Sequence, residues 1–255
     1  MAFGAAVQSG NGSAEFATTR WSLIFSGRIS DGDQSDSALA ELCQIYWRPV
    51  FSFICRGGHA AAEAQDLTQE FFLRILHGKI LDYADPARGR FRCFLLKSLK
   101  NFLIDADIKA RRHKRGGGIQ FISLEQWMAE APSRLTLPAG VVDSCSAEAV
   151  FDLRWAASVA EEALRQLRMQ CESNGHRRVY DVLNEYLTAD RGSISYQRLS
   201  TMLGISTGSV KRLMHEFRTQ YRSLLREAVA ETIANPADVD DEVRYLCAAL
   251  SAALS

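Results

Sequence analysis

The chain of 255 residues is 47% hydrophobic and 24% charged, enough apolar content for one sizeable core or two small ones, which excludes a chain disordered throughout. Thirty Lys and Arg balance thirty Asp and Glu, and this zero formal charge, taken as an average, argues against a surface that is basic all round. No apolar run reaches the length of a membrane span and residues 1–17 lack the blocks of a signal peptide, so no membrane insertion and a cytoplasmic location are expected.

Prolines stand only at 49, 86, 132, 138 and 236, β-type alternation is scarce, and Ala, Leu, Glu, Arg and Gln fill the spaces between, so the expected fold class is all-α: two helical domains joined by a linker. Residues 1–19, rich in Gly, Ser and Ala, read as a flexible N-terminal arm. The first domain, 20–115, is expected to hold helices at about 36–56, 60–77 and 90–115, stopped by Gly57-Gly58, Gly78 and Gly116-Gly117-Gly118. Residues 116–147 carry glycines and prolines with patchy apolar content and read as the linker. The second domain, 148–233, is expected to hold helices at about 148–171, 176–189, 195–203 and 206–233, stopped by Asn235-Pro236. An acidic tail, 234–255, is expected to add one short helix. The six cysteines never form a C-x-x-C pair, so reduced and mostly buried thiols are expected rather than a zinc site or a disulfide framework.

Neutrality hides opposed segments. Between Pro86 and Gly118 ten cations face two carboxylates, a net of +8, and between Ser193 and Arg226 six face one, a net of +5. From Glu227 to Ser255 one cation faces six carboxylates, a net of −5. Two basic helical stretches suit a phosphate backbone gripped at two places, although a single charge run is more often a solvated helix face. The opposing acidic segments predict poor binding of duplex DNA by the free protein.

Residues 195–213 read as helix, tight turn, helix. Gly204 permits a left-handed turn, Ser200 is small enough to face the partner helix, Ser206 is a natural N-cap and Val210 can plug the interhelical angle. Leu199, Leu203, Ile205, Val210, Met214 and Phe217 are expected to point inward. That leaves Ser209, Lys211, Arg212, His215, Glu216 and Arg218 for a major groove, with Glu216 able either to accept from a cytosine or to pair with Arg212.

In the first domain, Asp66-Leu67-Thr68-Gln69-Glu70-Phe71-Phe72-Leu73-Arg74-Ile75-Leu76 is amphipathic at helical spacing, with Leu67, Phe71, Ile75 and Leu76 on the apolar stripe and Asp66, Gln69, Glu70 and Arg74 outside. A second helix, from Phe91-Arg92-Cys93-Phe94-Leu95 through Asn101 and Asp105, runs into Arg111, Arg112, Lys114 and Arg115. In this order the pieces resemble the extracytoplasmic-function (ECF) sigma factors, small two-domain members of the sigma-70 family. The resemblance spans roughly residues 20–115 and 150–230. It implies that the 66–74 segment is similar to sigma region 2.2, with Asp66, Gln69, Glu70, Phe72 and Arg74 meeting core RNA polymerase at the β′ clamp helices. It implies that Phe94, Lys97, Lys100, Asn101, Arg111, Arg112, Lys114 and Arg115 engage the opened −10 element, and that residues 82–90 form the loop that receives a flipped base. It implies that the helix-turn-helix is region 4-like and reads the −35 element, with Gly208-Ser209-Val210-Lys211 standing where the family usually has G-T-V-K or G-T-V-R.

Two departures from the family pattern are Phe94, where tryptophan is usual, and Glu216, where a basic residue is common. The implied partners are bacterial core polymerase, through its β′ and β subunits, promoter DNA and an anti-sigma factor, with no cofactor, no metal and no small-molecule substrate. Physically, Phe91, Phe94 and Phe102 with the neighbouring cations suit stacked single-stranded bases, and each of the three aromatics reads equally as core. The alternative function is a helix-turn-helix regulator whose first domain senses a ligand or dimerises, against which the 66–74 motif speaks. A nuclease using Asp105 and Asp107 is disfavoured because on a helix the two point about 200° apart, and no catalytic motif stands elsewhere, so no enzyme is expected. The acidic tail either masks a basic surface or serves a partner.

Overall fold

The structure is a computed structural model that describes residues 33–76, 90–112, 144–233 and 235–254. It is all-α, with no strand among the described residues: α1 (Asp33–Arg56), α2 (Ala61–Leu76), α3 (Phe91–Arg112), α4 (Ala147–Ser173), α5 (Arg177–Leu183), α6 (Tyr196–Leu203), α7 (Thr207–Ala230) and α8 (Val239–Leu254). Helix ends fall close to the glycines and caps expected; Gly78, Gly116-Gly117-Gly118 and nearly all of the 116–147 segment lie outside the described residues. Two compact units divide the chain. One takes in α1 to α3, α4 as far as Glu161, and the chain again from Val229; the other spans Glu162–Ala228.

The first unit is built on aromatic packing. Tyr46, Val50, Phe53 and Ile54 of α1 recur at three- and four-residue spacing and are buried, as are Ala64, Phe71, Phe72 and Ile75 of α2 and Phe91, Leu95, Leu99 and Phe102 of α3. Trp47 stacks on Phe72 with ring centroids 5.4 Å apart, Tyr46 meets Phe91 edge-on at 5.3 Å, and Phe71 leans on Phe102 at 5.5 Å. Such pairs contribute roughly 0.5–1.5 kcal/mol each beyond the area they bury. Thr68 is buried within the amphipathic α2 because its hydroxyl donates to the Ala64 carbonyl at 2.6 Å, one turn back.

The opening of α4 belongs to this unit: Phe151 packs against Tyr46 and Phe53, and Trp155 is fully buried. The segment expected as an acidic tail forms α8, a helix of 16 residues whose Val239, Leu246 and Ala253 are buried, with Ala253 in a cluster with Leu153 of α4.

The second unit packs the remainder of α4 with α5, α6 and most of α7 around Leu167, Tyr180, Leu183, Leu199, Val210, Met214 and Phe217. Tyr180 and Phe217 meet edge-on at 6.1 Å. α4 ends where the His176 N–H returns to the Cys171 carbonyl at 2.7 Å and the Gly175 N–H to that of Glu172 at 3.1 Å, the paired closure of a Schellman turn. The stretch expected as one helix over 176–189 is α5 followed by a 3₁₀ turn at Asn184–Tyr186.

Candidate nucleic-acid interface

In the second unit α6, its turn and α7 form a helix-turn-helix. Ser195 caps α6, its hydroxyl accepting from the Arg198 N–H, and α6 closes at Gly204, whose φ of +69° is a conformation that residues bearing a Cβ adopt at a cost. The Ser200 carbonyl then accepts from the N–H groups of both Gly204 (2.9 Å) and Ile205 (3.2 Å). Ser206 caps the next helix by accepting from the Ser209 N–H at 3.2 Å, and Val210 is fully buried as the plug between the helices.

Leu199, Val210, Met214 and Phe217 point inward as expected, but Ile205 does not: it is 38% exposed. Its backbone rather than its side chain is what the turn uses, because the N–H serves Ser200 and the carbonyl accepts from the Ser200 hydroxyl. Leu203 is half-buried, and the Ser200 hydroxyl bonds within its own turn.

On the outer face of α7, Lys211, Arg212 and His215 are exposed and Ser209 and Glu216 half-buried. Lys211 Nζ lies 5.4 Å from the centre of the Tyr196 ring, a cation–π contact that draws the ammonium toward the start of α6. Arg212 and Glu216 form a loose pair at 3.9 Å, favouring the intrahelical partner of the two considered for Glu216. Arg218, expected in the groove, instead donates to the carbonyls of Tyr186 (2.7 Å) and Ala189 (2.5 Å) and ties the segment before α6 to α7. Those carbonyls have no turn of helix after them to satisfy them, so one terminal nitrogen of the guanidinium is committed to both, while Arg218 Nε is buried without a partner among the described residues.

In the first unit, Phe94, Lys97, Asn101, Ile104 and Ile108 follow one another at three- and four-residue steps along one side of α3. Phe94 is half-buried against Phe91, Lys97 and Asn101 are exposed, and Ile104 and Ile108 expose 59% and 42% of their surface. Phe91 and Phe102, weighed as base-stacking residues, are buried in the core and carry no base-facing surface. Lys100, exposed, pairs with Glu148 at 2.8 Å, an interaction that holds the Glu148 carboxyl below the usual range. Arg111 and Arg112 close α3, while Lys114, Arg115 and all but Arg90 of the 82–90 loop lie outside the described residues.

On α2, Asp66 and Glu70 are exposed one turn apart, and Leu73 on the following turn is 36% exposed. Glu70 accepts from Arg74 at 2.6 Å, and the Arg74 guanidinium lies over the Phe102 ring at 4.6 Å. Gln69 is half-buried, its side-chain carbonyl unbonded among the described residues. Phe72, which the resemblance implies to meet core polymerase, is instead core, because its stacking on Trp47 removes it from the surface.

From the sequence Arg90 and Arg92 count in the +8 segment, Arg90 at the end of the 82–90 loop and Arg92 in the Phe91–Leu95 motif, with no partner inside the chain assigned to either. In the structure Arg92 Nε donates to Glu242 Oε1 and its terminal nitrogen to Asp152, both at 2.5 Å, while Arg90 meets Glu242 Oε2 at 2.8 Å. Arg92 also lies over the rings of Tyr245 (4.4 Å) and Trp155 (5.1 Å), and Tyr245 donates to the other Asp152 oxygen at 2.7 Å. Its burial alone would depress the guanidinium's pKa, but Glu242 and Asp152 outweigh that and raise it. No linear signal marks this cluster, since 150 residues separate Arg92 from Glu242.

Among the described residues no three His, Cys, Asp or Glu side chains are grouped to hold a metal ion. A cleft lined by Leu167, Cys171, Phe217 and Gln220 has a volume of about 20 Å³, room for roughly one water. No described helix is long and apolar enough to cross a membrane. No protein-family model, curated protein or solved structure matches the chain.

Proposed function

We propose that this protein is an RNA polymerase sigma factor of the ECF type, a specificity subunit that performs no bond chemistry itself. The observation that carries the reading is the helix-turn-helix: a left-handed glycine turn and a buried Val210 leave Ser209, Lys211, Arg212 and His215 along the outer face of one helix. That is the arrangement by which a second helix enters a major groove, side chains reading base edges while cations meet phosphate.

Two features of the first unit support it. The α3 stripe of Phe94, Lys97, Asn101, Ile104 and Ile108 joins cation, amide and apolar surface, which suits unstacked bases of a single strand better than the uniformly charged face a duplex backbone needs. On α2, exposed Asp66 and Glu70 beside Leu73 offer a mixed acidic and apolar face to a protein partner, and their motif is the one that resembles sigma region 2.2. In this reading α2 docks on core polymerase, α3 holds the opened −10 strand, α7 reads −35, and the site of action is cytoplasmic.

Run-off transcription tests the proposal: purified protein added to bacterial core polymerase and a library of promoter fragments is expected to yield discrete transcripts. Failure to bind core and to start from any fragment overturns it. Binding of duplex DNA with no effect of polymerase would favour a helix-turn-helix regulator instead.

A further inference from the structure

Arg90 and Arg92, two residues apart at the start of α3, converge on the two oxygens of a single carboxylate. Glu242 Oε1 accepts from Arg92 Nε, while Oε2 stands 2.8 Å from Arg90 as an ion pair without an aligned hydrogen bond, and the Glu242 side chain is 1% exposed. Two guanidiniums bridged by one anionic group is the geometry in which arginine grips phosphate as readily as carboxylate. We propose that this pair is a phosphate-binding site for a polynucleotide backbone, and that α8 is an autoinhibitory arm whose Glu242 occupies it in the free protein. The inference rests on reading α3 as a single-strand-binding helix, and it adds both a site and its regulation.

Charge and packing separate the arm from the site. Arg92 keeps Asp152 and the Trp155 face, both from α4, when α8 leaves, so it stays ordered and oriented. Among the described residues Arg90 is joined to the cluster through Glu242, so departure of α8 withdraws that partner. Among the described residues two cations face two carboxylates with α8 in place and Asp152 alone without it, and the field of Asp240 and Asp241 on the first turn of α8 is withdrawn. A polyanion therefore competes directly with Glu242, and its binding is coupled to release of α8.

The full chain and its Glu242→Gln variant, which keeps a hydrogen-bonding side chain without the charge, are titrated with a fluorescein-labelled single-stranded oligonucleotide over a range of salt. The variant is expected to bind about tenfold tighter, its salt slope steeper by roughly 0.7 for each phosphate engaged. An unchanged affinity and slope in a variant of native helicity overturns the proposal, as does absence of binding by either protein. Should the variant not fold, hydrogen exchange on the unmodified chain decides: oligonucleotide is expected to speed exchange across 239–254, and unchanged protection overturns the arm. Inorganic phosphate run in parallel identifies the source, since equal opening by phosphate alone overturns the polynucleotide assignment. No polymerase is present, so loss of run-off transcription with opening retained strikes only the sigma reading, and the reverse pattern strikes only this one.

Discussion

Glu242, near the end of the chain, accepts a hydrogen bond at 2.5 Å from Arg92, which stands 150 residues earlier. Both side chains are nearly inaccessible, at 1% and 7%. A buried ion pair of this kind adds little net stability over an apolar pair of the same shape, yet removing one member leaves the other charged and unpaired. In the docked α8 it sets one carboxylate against both Arg90 and Arg92.

Glu242→Ala should destabilise the first unit by about 3–5 kcal/mol, because Arg92 is left buried with one anion in place of two. Chemical denaturation read by helicity measures this. A double-mutant cycle with Arg92→Met should recover more than half of the loss; purely additive effects would mean the two residues are not coupled.

Gly204→Ala should cost about 1–2 kcal/mol in the second unit. A Cβ there meets nothing within 4 Å, so the cost is backbone strain at φ +69° and not collision. Gly204→Asn, which tolerates the left-handed region better, should lose less, and thermal melts of the two variants rank them.

Lys211→Ala and Arg218→Ala should part company. The first removes an exposed cation, leaves stability within about 0.5 kcal/mol, and lowers the salt slope of promoter-DNA binding in the polymerase complex by about 0.9 for each phosphate that Lys211 neutralises. The second strips two carbonyls of a charged donor and should cost about 2–3 kcal/mol of stability. Equal stability of the two variants would contradict the structural assignment of Arg218.

Thiol labelling should be graded by burial. Cys93 and Cys247 are exposed and should alkylate first at mildly alkaline pH. Burial pushes the Cys43 thiol up to about 12, so its reactive thiolate is scarce in the folded chain and Cys43 should label more slowly than Cys93 and Cys247. Mass spectrometry of partly labelled protein distinguishes the sites. The expectation of mostly buried cysteines is met fully by Cys171 alone, with Cys43, Cys55 and Cys145 half-buried.

Much of the helix-turn-helix was legible because its determinants are local. A left-handed glycine, two serine caps and an apolar residue three or four positions on act within one or two turns, so periodicity and capping rules place Gly204, Ser195, Ser206 and Val210 without tertiary information. Ile205, Phe72, Phe91 and Phe102 were harder, since an apolar residue at a given helical angle is core or surface according to what packs over it. Arg218 was misplaced for a related reason: a cation on a basic helix reads as a phosphate ligand until two loop carbonyls are found within its reach.

Charge divides most clearly between the two levels of description. Counting along the chain established that neutrality is a sum of basic and acidic segments, and local patterning established an all-helical fold, because capping, periodicity and composition are properties of neighbours in sequence. Which charges remain available was decided only in three dimensions. Arg90 and Arg92 are spent on Glu242 and Asp152, Lys100 on Glu148, and Arg218 on backbone carbonyls, whereas Lys97 and Lys211 stay at the surface. An electrostatic partner is chosen by distance and burial, and neither quantity is written in the order of residues.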